Sequence, residues 1–151
     1  LVDGLTEVAV KVQRPGLAEQ VGLDFYVLRQ LLGLVNAITG VTRSSEIAQS
    51  VLAEVADGLF AELDFTMEAE HIEKFRDLYG EACPDVVVPE VIWSRTRVKV
   101  LTTSWLNGRK PRELSAAEKL RMVNLAAPCL SLQLMDAGFV HCDPHEGNMM
   151  L

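Results

Sequence analysis

HCDPHEGN, residues 141–148, is a run of polar and charged side chains between two apolar segments, and it indicates the fold of this chain. Pro144 and Gly147 disfavour a regular helix here, so the polar groups do not form one solvated helical face. His141, Asp143 and Asn148 have the spacing of the loop in which a phosphoryl-transfer enzyme holds a proton-accepting Asp and a Mg²⁺-binding Asn. The stretch therefore predicts phosphoryl transfer.

Two other interpretations of these residues stay open. A transition-metal site would use His141, Cys142, Asp143 and His145 as ligands. Against it, so many ligands on one short loop that contains proline rarely all point inward. A solvated turn, with Asp143 and Asn148 as helix caps, is the interpretation without a functional site.

A strand near the start of the chain provides an independent test of the phosphoryl-transfer hypothesis. TEVAVKVQ, residues 6–13, alternates β-branched residues and places Lys11 on one face. The run V-A-V-K that ends at Lys11 is close to the V-A-I-K context in which a kinase lysine holds the α- and β-phosphates of the nucleotide. A lysine on a strand is common by itself, but its position upstream of the 141–148 loop favours the functional interpretation.

Hydrophobic periodicity and turn residues divide the rest of the chain into helices and strands. The predicted elements are a helix over 17–38, a longer helix from 44 or 45 to 78 with a bend between 63 and 66, an antiparallel hairpin of 86–93 with 98–106, a helix over 115–136 that bends or breaks at Pro128, and the start of a strand at 149–151.

Composition and charge exclude several classes of protein. The chain has 151 residues and a net charge of −7 without a dense basic run, which argues against a nucleic-acid partner. Its three cysteines lie far apart, so no disulfide framework is indicated. The longest uncharged apolar stretches, 30–42 and 124–135, are shorter than the roughly 20 residues that span a bilayer, so no membrane crossing is expected. Both ends are interpreted as cut from a longer chain.

Taken together, VAVKVQRPG, ELDFTMEAEH, VVVPEV and HCDPHEGN resemble the UbiB or aarF-domain (ADCK-like) family of atypical kinases, over essentially the whole chain. The resemblance implies an α+β, protein kinase-like fold, with a partial N-lobe of strands plus inserted helices and the start of a helical C-lobe. It implies one domain over 1–151, truncated at both ends. The N-lobe would run from the strand with Lys11 to about residue 106, and the C-lobe would begin in 107–151.

The resemblance also assigns roles to individual residues. Lys11 would bind the nucleotide, Glu68 would pair with Lys11, and Asp143 would complete the catalytic set. Glu62, Asp64 and Asn148 would be cofactor-binding residues. Asn148 would be the Mg²⁺ ligand, with a second Asp ligand outside the chain, and ATP and Mg²⁺ would be the cofactors.

The function implied is ATP-dependent phosphoryl transfer or ATP hydrolysis, in a protein similar to regulators of ubiquinone and other prenyl-lipid metabolism. Contact with lipid or a membrane surface is expected of the full-length protein, in a plastid, a mitochondrion or at a bacterial cytoplasmic membrane. The alternative is a non-catalytic nucleotide- or lipid-binding regulatory module. Retention of Lys11, Glu68, Asp143 and Asn148 favours catalysis, and the sequence indicates no oligomeric state.

Overall fold

The computed structural model describes residues 7–40, 42–140 and 145–151, and for residues 42–45 it describes the backbone alone. The predicted roles of His141, Cys142 and Asp143 therefore lie outside the described residues. In chain order the main elements are β1 (Val8–Val12), α1 (Leu17–Thr39), α2 (Thr42–Glu62), α3 (Phe65–Tyr79), β2 (Val100–Ser104) and α4 (Ala116–Leu132). This mixture of helices with a small sheet agrees with the predicted fold class, and the lobe boundary near residue 106 stays a prediction.

The first strand and helix form where the sequence predicts them. Alternating valines favour an extended strand, and β1 covers most of the predicted 6–13 segment. Pro15 and Gly16 separate it from α1, which ends at Thr39 beside Gly40. Helix α1 follows β1 directly, so Lys11 stands on the strand that leads into the helical part of the chain.

Helices α1 and α2 pack against each other. Apolar residues recur at three- and four-residue steps along one face of α1. Val21, Phe25 and Leu32 of this face are half-buried, whereas Leu28 and Val35 are exposed. The apolar face of α1 is therefore covered only in part. The large apolar side chains that α1 exposes are Leu23, Tyr26, Val27, Leu28, Leu31, Leu34, Val35 and Ile38.

Helix α1 also corrects the expectation that no segment reaches the length of a bilayer. Among the described residues it is the one helix that is long and apolar enough to cross a membrane, and none of its residues is buried. Counting only uncharged runs underestimates the length of this apolar helix, because Arg29 interrupts the run without making the helix polar on average. Core helices of soluble proteins and signal sequences meet the same criterion, so length and composition alone do not make α1 a membrane helix.

The long helix predicted after residue 44 is interrupted at Leu63 and Asp64, which confirms the predicted bend. The side-chain amide of Gln13 donates to the Leu63 carbonyl at 2.7 Å, and the Phe65 N–H donates to the Val98 carbonyl at 2.9 Å. These two bonds satisfy backbone groups that the break removes from the helical ladder. They also fix the first turn of α3 beside the end of β1.

The predicted antiparallel hairpin forms only in part. Strand β2 pairs with β1 in a two-stranded sheet, and the Gln13 N–H donates to the Lys99 carbonyl at one end of that pair. In the predicted strand 86–93, pairing with β2 is limited to residues 90–92, where Val91 bridges to Thr103 and the Ile92 N–H donates to the Thr102 carbonyl at 2.9 Å. Pro89 has no N–H to donate to a ladder, which limits pairing to the residues after it.

Helix α4 begins with a capping box formed by Ser115 and Glu118. The Ser115 hydroxyl accepts from the Glu118 N–H, and the Glu118 carboxylate accepts from the Ser115 N–H at 2.8 Å. The predicted break at Pro128 does not occur, since α4 runs through it. A π-turn, Gln133–Ala137, then carries the chain to Gly138. Proline lacks an N–H, so α4 lacks one helical hydrogen bond at Pro128 but continues beyond it.

Contacts divide the chain into two compact units. One contains Leu1–Ala9, Ala69–Ile92 and Thr102–Leu151, and the other contains Val10–Glu68 and Trp93–Leu101. The core of the first unit includes Tyr79, which is 1% exposed. Its hydroxyl donates to the Phe139 carbonyl at 2.6 Å, and this bond anchors the chain immediately before the 141–148 loop.

Replacing Tyr79 by Phe is expected to lower the free energy of unfolding by about 1 kcal/mol, because the Phe139 carbonyl loses its donor. The matched control is Tyr26→Phe, since Tyr26 is 60% exposed and should change stability by only a few tenths of a kcal/mol. Urea unfolding of the two variants measures both values. Equal effects of the two substitutions would contradict the importance of this bond.

Candidate functional site

The ion pair predicted between Lys11 and Glu68 is confirmed. The Lys11 Nζ lies 2.6 Å from Glu68 Oε2 and 2.9 Å from Oε1, so one ammonium contacts both carboxylate oxygens. Lys11 is on β1, and Glu68 is in the first turn of α3. The break before α3 brings together two residues that are 57 positions apart in the chain.

The Phe65 ring also contacts the Lys11 ammonium. It is buried and lies three residues before Glu68, so both face the same side of α3. The Lys11 Nζ lies 4.6 Å from the centroid of the Phe65 ring, within the range of a cation–π contact. The ammonium is thus held between Phe65 and Glu68, while 56% of the Lys11 side chain stays open to solvent.

A pocket of about 400 Å³ opens beside this pair in the same unit. Lys11, Gln13 and Arg14 line it together with Glu62. Two cationic side chains at one opening suit the negative charge of a phosphate. Glu62 therefore lies where the resemblance expects it, near Lys11, and its cofactor-binding role stays a prediction.

Asp64 has a structural partner within the chain, and its cofactor-binding role stays a prediction. Its carboxylate accepts from the Thr66 hydroxyl at 2.5 Å and from the Thr66 N–H at 2.9 Å, which makes it the cap of α3. The Thr66 hydroxyl, followed by the Thr66 N–H, lowers the pKa of Asp64. The carboxylate therefore stabilises the fold at neutral pH, and this contribution is lost as the pH falls through the lowered pKa.

Asp64→Ala should lower the thermal midpoint by about 2–4 °C at pH 7, because α3 loses its cap. Asp64→Ser keeps a capping oxygen without the charge, so it should recover most of that loss. If Asp64 also binds the nucleotide, Asp64→Ser will weaken ATP affinity while keeping the midpoint. Thermal unfolding combined with an ATP titration separates the two roles, and a Ser variant as unstable as the Ala variant would contradict the cap.

The end of the candidate loop is described from His145 onward. His145 Nδ1 accepts from the Gly147 N–H at 2.9 Å, and the Asn148 N–H donates to the His145 carbonyl at 3.0 Å. A Cβ on Gly147 would lie 2.4 Å from the His145 ring, so a larger residue there would displace that ring from its contact with the Gly147 N–H. Asn148 is exposed at the end of the turn, in the first unit.

The sequence alone did not indicate Lys110, whose Nζ donates to the Gly147 carbonyl at 2.6 Å. Gln13 and Arg14 also line the pocket, although the sequence alone assigns them no role. Within the described ranges, no three side chains of the His, Cys, Asp and Glu types come close enough to share a metal ion.

The sequence pattern of the ABC1 atypical kinase-like domain matches residues 1–151, which is the whole chain. The chain belongs to the ABC1 atypical kinase-like family. A relative described as an aarF domain-containing protein kinase links this family to the resemblance found in the motifs. The family assignment therefore agrees with the kinase-like arrangement of Lys11 and Glu68.

Three relatives illustrate the match to the ABC1 family. Protein ACTIVITY OF BC1 COMPLEX KINASE 3, chloroplastic, of Arabidopsis thaliana is 38% identical over 148 residues, covering 95% of this chain and 20% of that protein. The chloroplastic aarF domain-containing kinase of A. thaliana is 38% identical over 143 residues, with coverages of 95% and 20%. Protein sll0005 of Synechocystis sp. is 36% identical over 148 residues, with coverages of 95% and 21%. The chain thus spans about a fifth of the length of these relatives.

Proposed function

We propose that the full-length protein binds ATP with Mg²⁺ and transfers or hydrolyses the γ-phosphoryl group. The single observation that carries the proposal is the contact of the Lys11 ammonium with both oxygens of Glu68. The two side chains are 56% and 40% exposed, so the pair contributes at most about 1 kcal/mol to stability. Its main effect is to fix the direction of a cation beside an open pocket.

Each residue has one chemical task in this proposal. Lys11 binds the nucleotide phosphates, and Glu68 holds the ammonium in place between turnovers. Asp143 accepts the proton of the attacking hydroxyl or water, which increases the nucleophilicity of that oxygen. Asn148 offers an amide oxygen to the metal.

The residues of this chain provide the cations that a nucleotide needs, but they provide only part of a metal site. Lys11 and Arg14 at the pocket provide two cations for phosphate, which is the donor chemistry a nucleotide needs. Asn148 and Asp143 are oxygen donors of the kind that Mg²⁺ prefers, and the second carboxylate is expected elsewhere in the full-length protein. When bound, Mg²⁺ neutralises charge on the β- and γ-phosphates.

Metal analysis and calorimetry of the full-length protein test the proposal. ATP should bind more tightly with Mg²⁺ than with EDTA, and phosphate or a phosphorylated acceptor should accumulate only with Mg²⁺. Stoichiometric zinc that disappears in Cys142→Ser or His145→Gln would instead support the transition-metal alternative. Absence of nucleotide binding with or without Mg²⁺ would reject the proposal.

The exposed apolar surface of α1 favours a second candidate, a lipid-binding regulatory module without catalysis. Ile38 is 76% exposed, so Ile38→Glu should abolish co-sedimentation with phosphatidylcholine vesicles if α1 binds lipid. Leu120→Glu on α4 is the matched control, since Leu120 is 63% exposed in the other unit. Vesicle binding that depends on Ile38, together with no ATP turnover, would favour this candidate over catalysis.

The names of the relatives support a plastid or bacterial setting for the protein. Two of them are chloroplastic, and the third is cyanobacterial. A role in ubiquinone or other prenyl-lipid metabolism stays a prediction from the resemblance. Fractionation of cells that express the tagged full-length protein tests the compartment.

A further inference from the structure

We infer that Lys110 is a positioning residue that fixes the backbone of the loop carrying Asn148, an inference that rests on the proposed function. Its Nζ lies 2.6 Å from the Gly147 carbonyl oxygen, across 37 positions of sequence. That carbonyl belongs to the peptide group that joins Gly147 to Asn148. Lys110 therefore acts on the backbone immediately before the proposed metal ligand.

The peptide group before Asn148 is held from two sides. A trans peptide is planar and points its C=O and N–H in opposite directions. Lys110 donates to the carbonyl oxygen of this peptide group, and the Asn148 N–H of the same group donates to the His145 carbonyl at 3.0 Å. With both ends bonded, the plane has little freedom to rotate, and the starting direction of the Asn148 side chain is set.

The segment that carries Lys110 is itself bonded to the chain beyond Asn148. The Arg109 N–H donates to the Leu151 carbonyl at 2.8 Å, and the Leu151 N–H donates to the Arg109 carbonyl at 3.0 Å. A Cβ on Gly108 would lie 2.7 Å from the Met150 Cβ, so only glycine permits this close approach. The two segments therefore run side by side next to the Lys110 contact.

The same segment is anchored to α4. The Arg109 guanidinium forms an ion pair with Glu118, the capping-box residue of that helix. Hydrogen bonds from the Ser115 backbone and from Arg109 lower the pKa of Glu118 to about 2. The carboxylate is therefore charged at neutral pH, and the anchor weakens only as the pH falls through the lowered pKa of Glu118. The segment that carries Lys110 is thus held by α4 as well as by its bonds to the loop.

Kinetics of full-length variants test this inference. Lys110→Met should lower kcat by about 10–10²-fold, since small displacements of a reacting group cost rates of this size. The Mg²⁺ concentration for half-maximal rate should rise, while KM for ATP changes less than about threefold. Lys110→Arg keeps a cationic donor and should recover most of the rate. Lys119→Met is the matched control, because Lys119 is exposed on α4, and it should behave as the wild type.

Hydrogen exchange separates failure of this inference from failure of the proposed function. In Lys110→Met, peptides that contain residues 145–151 should exchange faster than in the wild type and in Lys119→Met. If the wild type turns over no ATP, the proposed function fails, and faster exchange in Lys110→Met still supports the positioning role. Unchanged exchange, or an equal loss of rate in the Met and Arg variants, would overturn it.

Discussion

Asp143→Asn is expected to lower the rate of ATP turnover by about 10²–10⁴-fold, the range that a general base contributes. Asparagine has nearly the same size as aspartate but does not accept the proton of the attacking hydroxyl or water. The nucleotide phosphates are bound by other groups, so ATP affinity should change little. Steady-state turnover and calorimetric titration of the full-length variant measure the two effects.

The control for this change is Asp136→Asn, which removes one negative charge from an exposed position in the π-turn before the loop. It should leave both turnover and affinity unchanged. If Asp143→Asn keeps the wild-type rate, Asp143 is not the proton acceptor. If it abolishes nucleotide binding as well, its main role is in ligand binding.

Lys11→Met is expected to reduce turnover by about 10²–10³-fold, the usual cost of removing one preorganised charge from a reacting group. Methionine retains an apolar stem that can pack on Phe65, so the fold should be preserved. The variant leaves the Glu68 carboxylate without its cationic partner, and the pocket that Lys11 lines loses one positive charge, so ATP binding should also weaken.

Lys99→Met is the matched control for Lys11→Met. Lys99 is exposed in the same unit, and its backbone carbonyl, which the substitution retains, accepts from Gln13. Turnover in the Lys99 variant should equal that of the wild type. A Lys11 variant with normal turnover, or a Lys99 variant with an equal loss, would contradict the assigned role of the ion pair.

Much of the fold could be predicted because its signals are local. The valine pattern of β1, the capping box at Ser115 and the bend near Leu63 each depend on a few adjacent residues. The predicted strand at 86–93 pairs with β2 only at residues 90–92, on the side that β1 leaves open. Pro89 has no N–H to donate, so the residues before it do not extend this pairing.

The residues of the candidate site could be predicted only where they belong to a recognised sequence motif. The pairing of Lys11 with Glu68 followed from the family resemblance, since hydrophobic periodicity does not relate residues 57 positions apart. The cap at Asp64 had a local signal, an acid two residues before Thr66 at a helix start, which the functional interpretation of the acidic motif concealed. No sequence pattern indicates the contact of Lys110, because its partner is a backbone carbonyl that any residue type supplies.

The most direct test of the central claim is to label the full-length protein with an acyl phosphate of ATP and identify the acylated lysines by mass spectrometry. The probe transfers its acyl group to an amine beside the bound phosphates, forming an amide and releasing ATP. Lys11 should be labelled more strongly than exposed Lys99, and excess Mg–ATP should suppress that labelling. Labelling of Lys11 no stronger than that of Lys99, and unaffected by Mg–ATP, would contradict the account.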